Sequence, residues 1–180
     1  MRAFIGLSVP DHLSLELISV RDRAVAQLAS ASPRPVIAGN FHITLLFLGE
    51  IATARKDNVC RAIDQVIAAE RGAIPLYLER ACCFPDASGR IFAAEVAPEG
   101  GLIQLHQRLL KALSEPDARA FRPHITLARL SRAFIPAPVM PLKLSFQATE
   151  LCLYESRMSE WGVRYRALRR WTVPAANQAG

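Results

Sequence analysis

The tetrapeptide His-Ile-Thr-Leu occurs twice, at 42–45 and at 124–127, and no other feature constrains the fold as tightly. Each copy follows a short apolar strand pattern and then a helical pattern. Residues 3–8 and a stripe from Asp11 to about Ser30 precede the first copy; residues 90–96 and 102–113 precede the second. The copies lie 82 residues apart. A solenoid would need shorter and more numerous repeats. The spacing instead predicts a duplicated α/β unit: an α+β fold of two pseudo-symmetric lobes, with antiparallel sheets facing a central groove and helices outside.

The remaining pattern fits this plan. Residues 41–49 read as the first motif strand, and residues 53–69 as a helix with Val59, Ile63, Val66 and Ile67 on one face. Residues 74–84 and 90–96 form strands around the turn signal Pro85-Asp86-Ala87-Ser88-Gly89. Residues 124–130 form the second motif strand, and a Pro-rich loop follows. Residues 142–155 carry strand signals with a bend near Ala148, and 164–173 the last strand. Residues 1–174 are thus expected to be a single bilobal domain, and 175–180 a flexible tail.

Of the 180 residues, 51% are hydrophobic and 21% charged, enough to bury a core and too apolar for a disordered chain. No apolar run approaches the roughly 20 residues that a bilayer span needs, so no membrane association is expected. Asp11 and Glu16 interrupt any signal-peptide core. The four cysteines form no C-x-x-C, and two are adjacent, which predicts buried reduced thiols and a cytoplasmic protein.

Alternation along a strand gives the motif its chemistry. His42 and Thr44 point to one face while Ile43 and Leu45 point to the other; His124, Thr126, Ile125 and Leu127 repeat the arrangement. Two such strands present two imidazoles and two hydroxyls to one ligand. Near neutrality one imidazole can accept a proton while the other donates one. Threonine hydroxyls can donate to phosphoryl oxygens, so the set suits in-line attack on a phosphodiester, with arginine neutralising the developing charge. The competing reading is a pair of core histidines left by the duplication. A metal site would need further ligands, and the chain has no H-E-x-x-H, no H-x-H and no zinc-spaced Cys/His cluster, so no metal or cofactor is expected. His12 and His106 fall in helical patterns and read as structural.

The net charge is +6, and residues 91–180 carry most of it, which favours a polyanionic partner. Arg157, Arg164, Arg166, Arg169 and Arg170 cluster near the C-terminus with Trp161, Tyr165 and Trp171 interleaved. Basic groups can follow a nucleic-acid backbone and aromatic faces can stack on unpaired bases; alternatively, one strand face is solvated and the other packs inward.

The two H-x-T-hydrophobic motifs resemble those of the 2H phosphoesterase superfamily. Residues 40–50, Asn-Phe-His-Ile-Thr-Leu-Leu-Phe-Leu-Gly-Glu, resemble the first motif of the bacterial RNA 2′,3′-cyclic phosphodiesterases, also called 2′-5′ RNA ligases. Residues 2–7, 101–105, 121–129 and the pair Tyr154-Glu155-Ser156 and Tyr165-Arg166-Ala167-Leu168 resemble their other segments. The resemblance implies hydrolysis of a terminal RNA 2′,3′-cyclic phosphate to a 2′-phosphate without metal. Some members also join tRNA halves through a 2′-5′ linkage. It implies that His42 is the proton donor and His124 the proton acceptor, that Thr44 and Thr126 hold the phosphate, and that Arg129 lies near the nucleotide. The implied partner is RNA with a cyclic phosphate end, tRNA fragments among them, and the default state is a monomer. Two alternatives stay open: a 2H phosphoesterase for another small phosphodiester (a cyclic nucleotide or a 2′-5′ oligonucleotide), and a non-catalytic RNA-binding module.

Overall fold

The computed structural model describes residues 1–116, 120–160 and 162–174. The elements run in the order β1 (Arg2–Ser8), α1 (Asp11–Gln27), β2 (Arg34–Pro35), β3 (His42–Glu50), α2 (Thr53–Ala69), β4 (Pro75–Phe84), β5 (Ile91–Val96), α3 (Gly100–Leu113), β6 (His124–Arg129), β7 (Met140–Gln147), β8 (Glu150–Ser159) and β9 (Gly162–Thr172). The expected tail at 175–180, and Trp161 among the expected aromatics, lie outside the described residues.

The strands form one antiparallel sheet in the order β7-β4-β5-β6-β3-β1-β8-β9, with β2 paired to β6 off this path. The order is symmetric about β6 and β3. In one lobe β1 precedes α1 and pairs with β3; in the other β5 precedes α3 and pairs with β6. The duplication is therefore visible in the topology, and the two lobes join where the motif strands meet at Ile43 and Ile125.

The apolar stripes explain the layers. Leu102, Leu105 and Leu109 on α3, Leu13 and Leu17 on α1, and Ile63 on α2 are buried with Ile43, Leu45, Ile125 and Leu127 in one continuous cluster. Burying each such side chain contributes about 1.5–3 kcal/mol. The motif isoleucines and leucines thus anchor their strands in the core, and the intervening His and Thr are left on the opposite face.

Several boundaries differ from the sequence pattern. α1 stops at Gln27 and a short 3₁₀ turn covers Ala29–Ala31. Pro10 and Ala52 occupy the N-cap positions of α1 and α2, and Asp11 and Thr53 open the first turns. The stretch 142–155 is two strands, not one bent strand: β7 pairs with β4 at one edge of the sheet, while β8 pairs with β1 in the other lobe. Ala148 and Thr149 make the crossing, held by Ala148 N–H to the Ile74 carbonyl (2.9 Å) and Val173 N–H to the Thr149 carbonyl (2.9 Å). No helix among the described residues is long and apolar enough to cross a membrane.

Candidate active site

Ile43 pairs with Ile125 across β3 and β6. Antiparallel register sets His42 beside Thr126 and Thr44 beside His124, all on the face away from the core. The four residues of the two motifs are therefore brought to one patch at the centre of the sheet, each partly buried.

Both imidazoles are held the same way. His42 Nδ1 lies 2.7 Å from the Asn40 carbonyl oxygen, and His124 Nδ1 lies 2.8 Å from the Arg122 carbonyl oxygen. A carbonyl only accepts, so each Nδ1 carries the proton and each Nε2 is left as the reactive nitrogen. His42 Nε2 lies 3.0 Å from Thr44 Oγ1. The hydroxyl donates to Nε2 when the ring is neutral and accepts from it when the ring is charged.

The surroundings of the two rings differ. His42 sits among aromatics: Phe4 at 4.7 Å, Tyr165 edge-on at 4.9 Å and Tyr154 at 5.9 Å between ring centroids. Its near edge passes over Gly6, where a Cβ would stand 3.4 Å from His42 Cδ2. His124 stacks on Phe84 at 4.1 Å, and the Arg122 guanidinium covers the same Phe84 at 4.8 Å. Burial lowers the pKa of His42 to about 4, and the charges of His124 and Arg129 add to the effect. Burial also lowers the pKa of His124, helped by the Arg122 and Arg129 charges and opposed by Glu95.

A bulge follows each threonine. Gly6 pairs with Thr44 and Ile5 with Leu46, so Leu45 is an extra residue in β3; Ala93 pairs with Thr126 and Phe92 with Ala128, so Leu127 is the extra residue in β6. An inserted residue switches the alternation beyond it. Phe47 and Arg129, each five residues after its histidine, are thereby turned to the motif face. Phe47 is 69% exposed, with its ring 6.1 Å from Phe4. Arg129 is exposed, makes no side-chain hydrogen bond among the described residues, and lies close enough for its charge to act on both imidazoles. Thr126 likewise has a hydroxyl with no partner among the described residues.

The C-terminal basic cluster does not gather at this patch. Arg157 pairs with Glu155, Arg169 with Asp64 and Arg170 with Glu150. Arg164 and Arg166 alternate with Tyr165, which faces His42, and so lie on the other side of β9. Trp171 is buried with its indole N–H donating to Asp64 (2.7 Å), which makes it a packing residue and not a stacking platform. His106 is buried as a structural residue, its Nδ1–H donating to the Leu45 carbonyl at 2.9 Å and its ring stacked on Phe121 at 4.1 Å; His12 is exposed on α1.

Among the described residues no three His, Cys, Asp or Glu side chains converge to hold a metal ion. All four cysteines are free and buried. A cavity of about 210 Å³ borders the second lobe at Phe84, Glu95 and Arg122, but neither motif histidine lines it. Nothing in the sequence points to Asn40, Gly6, Phe4 or Phe84 as supports of the imidazoles, although Asn40 and Arg122 both stand two residues before a motif histidine.

Known proteins resemble this chain in sequence and in fold. A family model described as the 2′-5′ RNA ligase superfamily matches residues 9–159. The chain is 28% identical over 182 residues to an RNA 2′,3′-cyclic phosphodiesterase of Escherichia coli, covering 96% of each protein. A Thermus thermophilus structure superposes with a TM-score of 0.84 at 22% identity, covering 96% of this chain and 98% of that one, a likeness of fold. Escherichia coli LigT in complex with 3′-AMP superposes with a TM-score of 0.72 at 26% identity, covering 96% of this chain and 97% of that one.

Proposed function

Because the chain belongs to the 2′-5′ RNA ligase superfamily, the LigT-like group of 2H phosphoesterases, we propose that it opens terminal 2′,3′-cyclic phosphates of RNA to 2′-phosphates. Its activity is that of a 2H-type phosphodiesterase on RNA-like substrates. The observation that supports the finer reading most is the matched pair of imidazoles, each with Nδ1–H committed to a backbone carbonyl so that Nε2 is the reactive nitrogen, with His42 Nε2 beside the Thr44 hydroxyl.

In this reading His124 Nε2 takes a proton from water as the water oxygen bonds to phosphorus. The P–O3′ bond breaks on the opposite side. His42 Nε2–H passes its proton to O3′, giving a 3′-hydroxyl and a 2′-phosphate. Thr44 and Thr126 hydroxyls donate to the non-bridging oxygens, and Arg129 offsets their growing charge. His42, neutral near pH 7 in the free protein, takes up its proton as the anionic phosphodiester enters, since a nearby negative charge favours the imidazolium. His124 then releases its proton to solvent. A 5′-hydroxyl in place of water would form a 2′-5′ linkage by the same steps. Residues 1–174 act as one unit, as a monomer in the cytoplasm, without a metal or cofactor.

The test is a short oligoribonucleotide ending in a 2′,3′-cyclic phosphate, incubated with the protein and EDTA. The reading predicts a product one water heavier and resistant to a 3′-specific phosphatase. A 3′-phosphate product, or turnover only of a cyclic nucleotide or a 2′-5′ oligonucleotide in the same panel, would overturn it.

A further inference from the structure

Asn40 stands two residues before His42 and is buried, 9% exposed, although it is polar. Burying an amide is costly unless its hydrogen bonds are made. Here they are made to a strand more than a hundred residues away. Asn40 Nδ2–H donates to the Val163 carbonyl at 2.8 Å, and the Tyr165 N–H donates to Asn40 Oδ1 at 3.2 Å. The side chain thus occupies the place of a ladder partner for β9, across the two backbone groups that flank residue 164. The main-chain carbonyl of the same residue accepts the His42 Nδ1 hydrogen bond at 2.7 Å. Between those two attachments Tyr165 is set edge-on against the His42 ring at 4.9 Å.

The second lobe is built differently. Arg122 also supplies a carbonyl to its histidine, but its side chain is exposed and reaches the neighbouring Pro85 carbonyl at 2.7 Å. Among the described residues, only the first motif hangs from a buried clamp on the last strand.

We propose that Asn40 is the positioning residue that ties the C-terminal β8–β9 hairpin to His42, so that the seat of the hairpin and the orientation of the proton-donating ring are set together. The inference rests on the catalytic role proposed above for His42. It assigns Asn40 no contact with substrate. Its action runs through the carbonyl that fixes the Nδ1–H tautomer and through Tyr165. It also gives the duplicated halves different supports: β4 reaches His124 through Phe84, which stacks on the ring at 4.1 Å, whereas the β8–β9 hairpin is tied to His42 through Asn40.

The experiment compares wild type with Asn40→Ala and Asn40→Asp. Histidines are labelled with ¹⁵N and titrated by NMR, and kcat and KM are measured on the cyclic-phosphate RNA. Apart from Asn40, the groups facing His42 are His124 and Arg129 from β6, Tyr154 from β8 and Tyr165 from β9. None of these is altered. In Asn40→Ala, His42 is expected to lose its pure Nδ1–H tautomer, while His124 is unchanged. Misplacing a catalytic group by about 1 Å can cost on the order of a hundredfold, so kcat should fall ten- to a hundredfold with KM within about threefold. Asn40→Asp keeps the acceptor for Tyr165 N–H but sets a carboxylate oxygen against the Val163 carbonyl, so kcat should fall here too. A folded Asn40→Ala protein with wild-type kcat and an unaltered His42 tautomer would overturn the proposal; should that variant not fold, wild-type behaviour of Asn40→Asp would do so. A wild-type protein inactive on RNA would sink the functional reading alone, because the NMR comparison needs no turnover.

Discussion

His42 Nε2 lies 3.0 Å from Thr44 Oγ1, a hydrogen bond between the two polar residues of one motif. The residues are two apart on a strand, so both face the groove, and the imidazole leans along the strand toward its own threonine. With Nδ1–H already given to the Asn40 carbonyl, the only hydrogen-bonding nitrogen left to substrate is the one this hydroxyl touches. Entry of a phosphate must therefore loosen or share the contact, and four predictions follow from the geometry around it.

The first concerns the leaving group. If His42 supplies a proton to O3′, a phosphodiester whose leaving group is already a weak base needs no such help. His42→Ala should lose roughly 10²–10⁴-fold on the RNA cyclic phosphate but far less on an aryl phosphodiester, while His124→Ala should be impaired on both. Kinetics with the two substrates check the roles. Equal losses for His42→Ala on both would remove its assignment as the acid.

Gly6 provides the second. A Cβ at this position would stand 2.8 Å from the Ile43 carbonyl oxygen, a backbone atom that cannot turn aside, and 3.4 Å from the His42 ring. Gly6→Ala should push β1 and β3 apart, lower stability by about 1–3 kcal/mol and reduce kcat by displacing the His42 ring. A thermal melt and a kinetic assay measure the two effects. A variant with wild-type Tm and kcat would mean that the ring tolerates displacement.

A third prediction is the pH profile. Turnover needs one imidazole charged and one neutral, and both pKa values are lowered by burial and by neighbouring positive charge. The charged ring is then lost as pH rises, so kcat/KM in the free enzyme should descend below pH 6.5 and not above it. Arg129→Gln removes a positive charge that opposes both imidazolium forms. Its descending limb should move to higher pH, and its KM should rise. A limb that moves to lower pH would contradict the placement of Arg129.

The fourth concerns acid stability. His42 has a folded pKa of about 4 against an ordinary value of 6.5, so the folded state favours the neutral ring. Its contribution is complete above 6.5 and is lost as pH falls toward 4. The loss is at most about 3 kcal/mol. Urea unfolding of wild type and His42→Asn across pH 4–7 should show the variant losing less stability over that window. Parallel curves would show that burial of His42 carries no such penalty.

The sequence makes the centre of the site legible and its supports opaque. His42, Thr44, His124 and Thr126 stand out because the same four residue types recur in the same order, and strand alternation alone puts them on one face. Arg129 was reachable only through the family resemblance; its turn toward the groove depends on an extra residue at Leu127, and a bulge leaves no mark in a run of apolar letters. Residues 142–155 look like one bent strand because Ala148 and Thr149 carry no turn signal. Their split into β7 and β8 is decided by which lobe each strand can pair with. The arginines from 157 to 170 read as one basic surface, yet three are matched by Glu155, Asp64 and Glu150, acids from as far away as α2. Asn40 is the hardest to see. Its partners, Val163 and Tyr165, are distant in the chain, and only the pairing of β3, β1, β8 and β9 brings them within reach.

The most direct test of the two-histidine account is single-turnover hydrolysis of a cyclic-phosphate oligoribonucleotide in EDTA by wild type, His42→Ala, His124→Ala and the double variant. The account predicts turnover by wild type, a loss of about 10²–10⁴-fold in each single variant, and a double variant scarcely worse than the weaker single, because the two rings act in one step. Wild-type turnover abolished by EDTA, or a single variant that keeps wild-type rate, would contradict it.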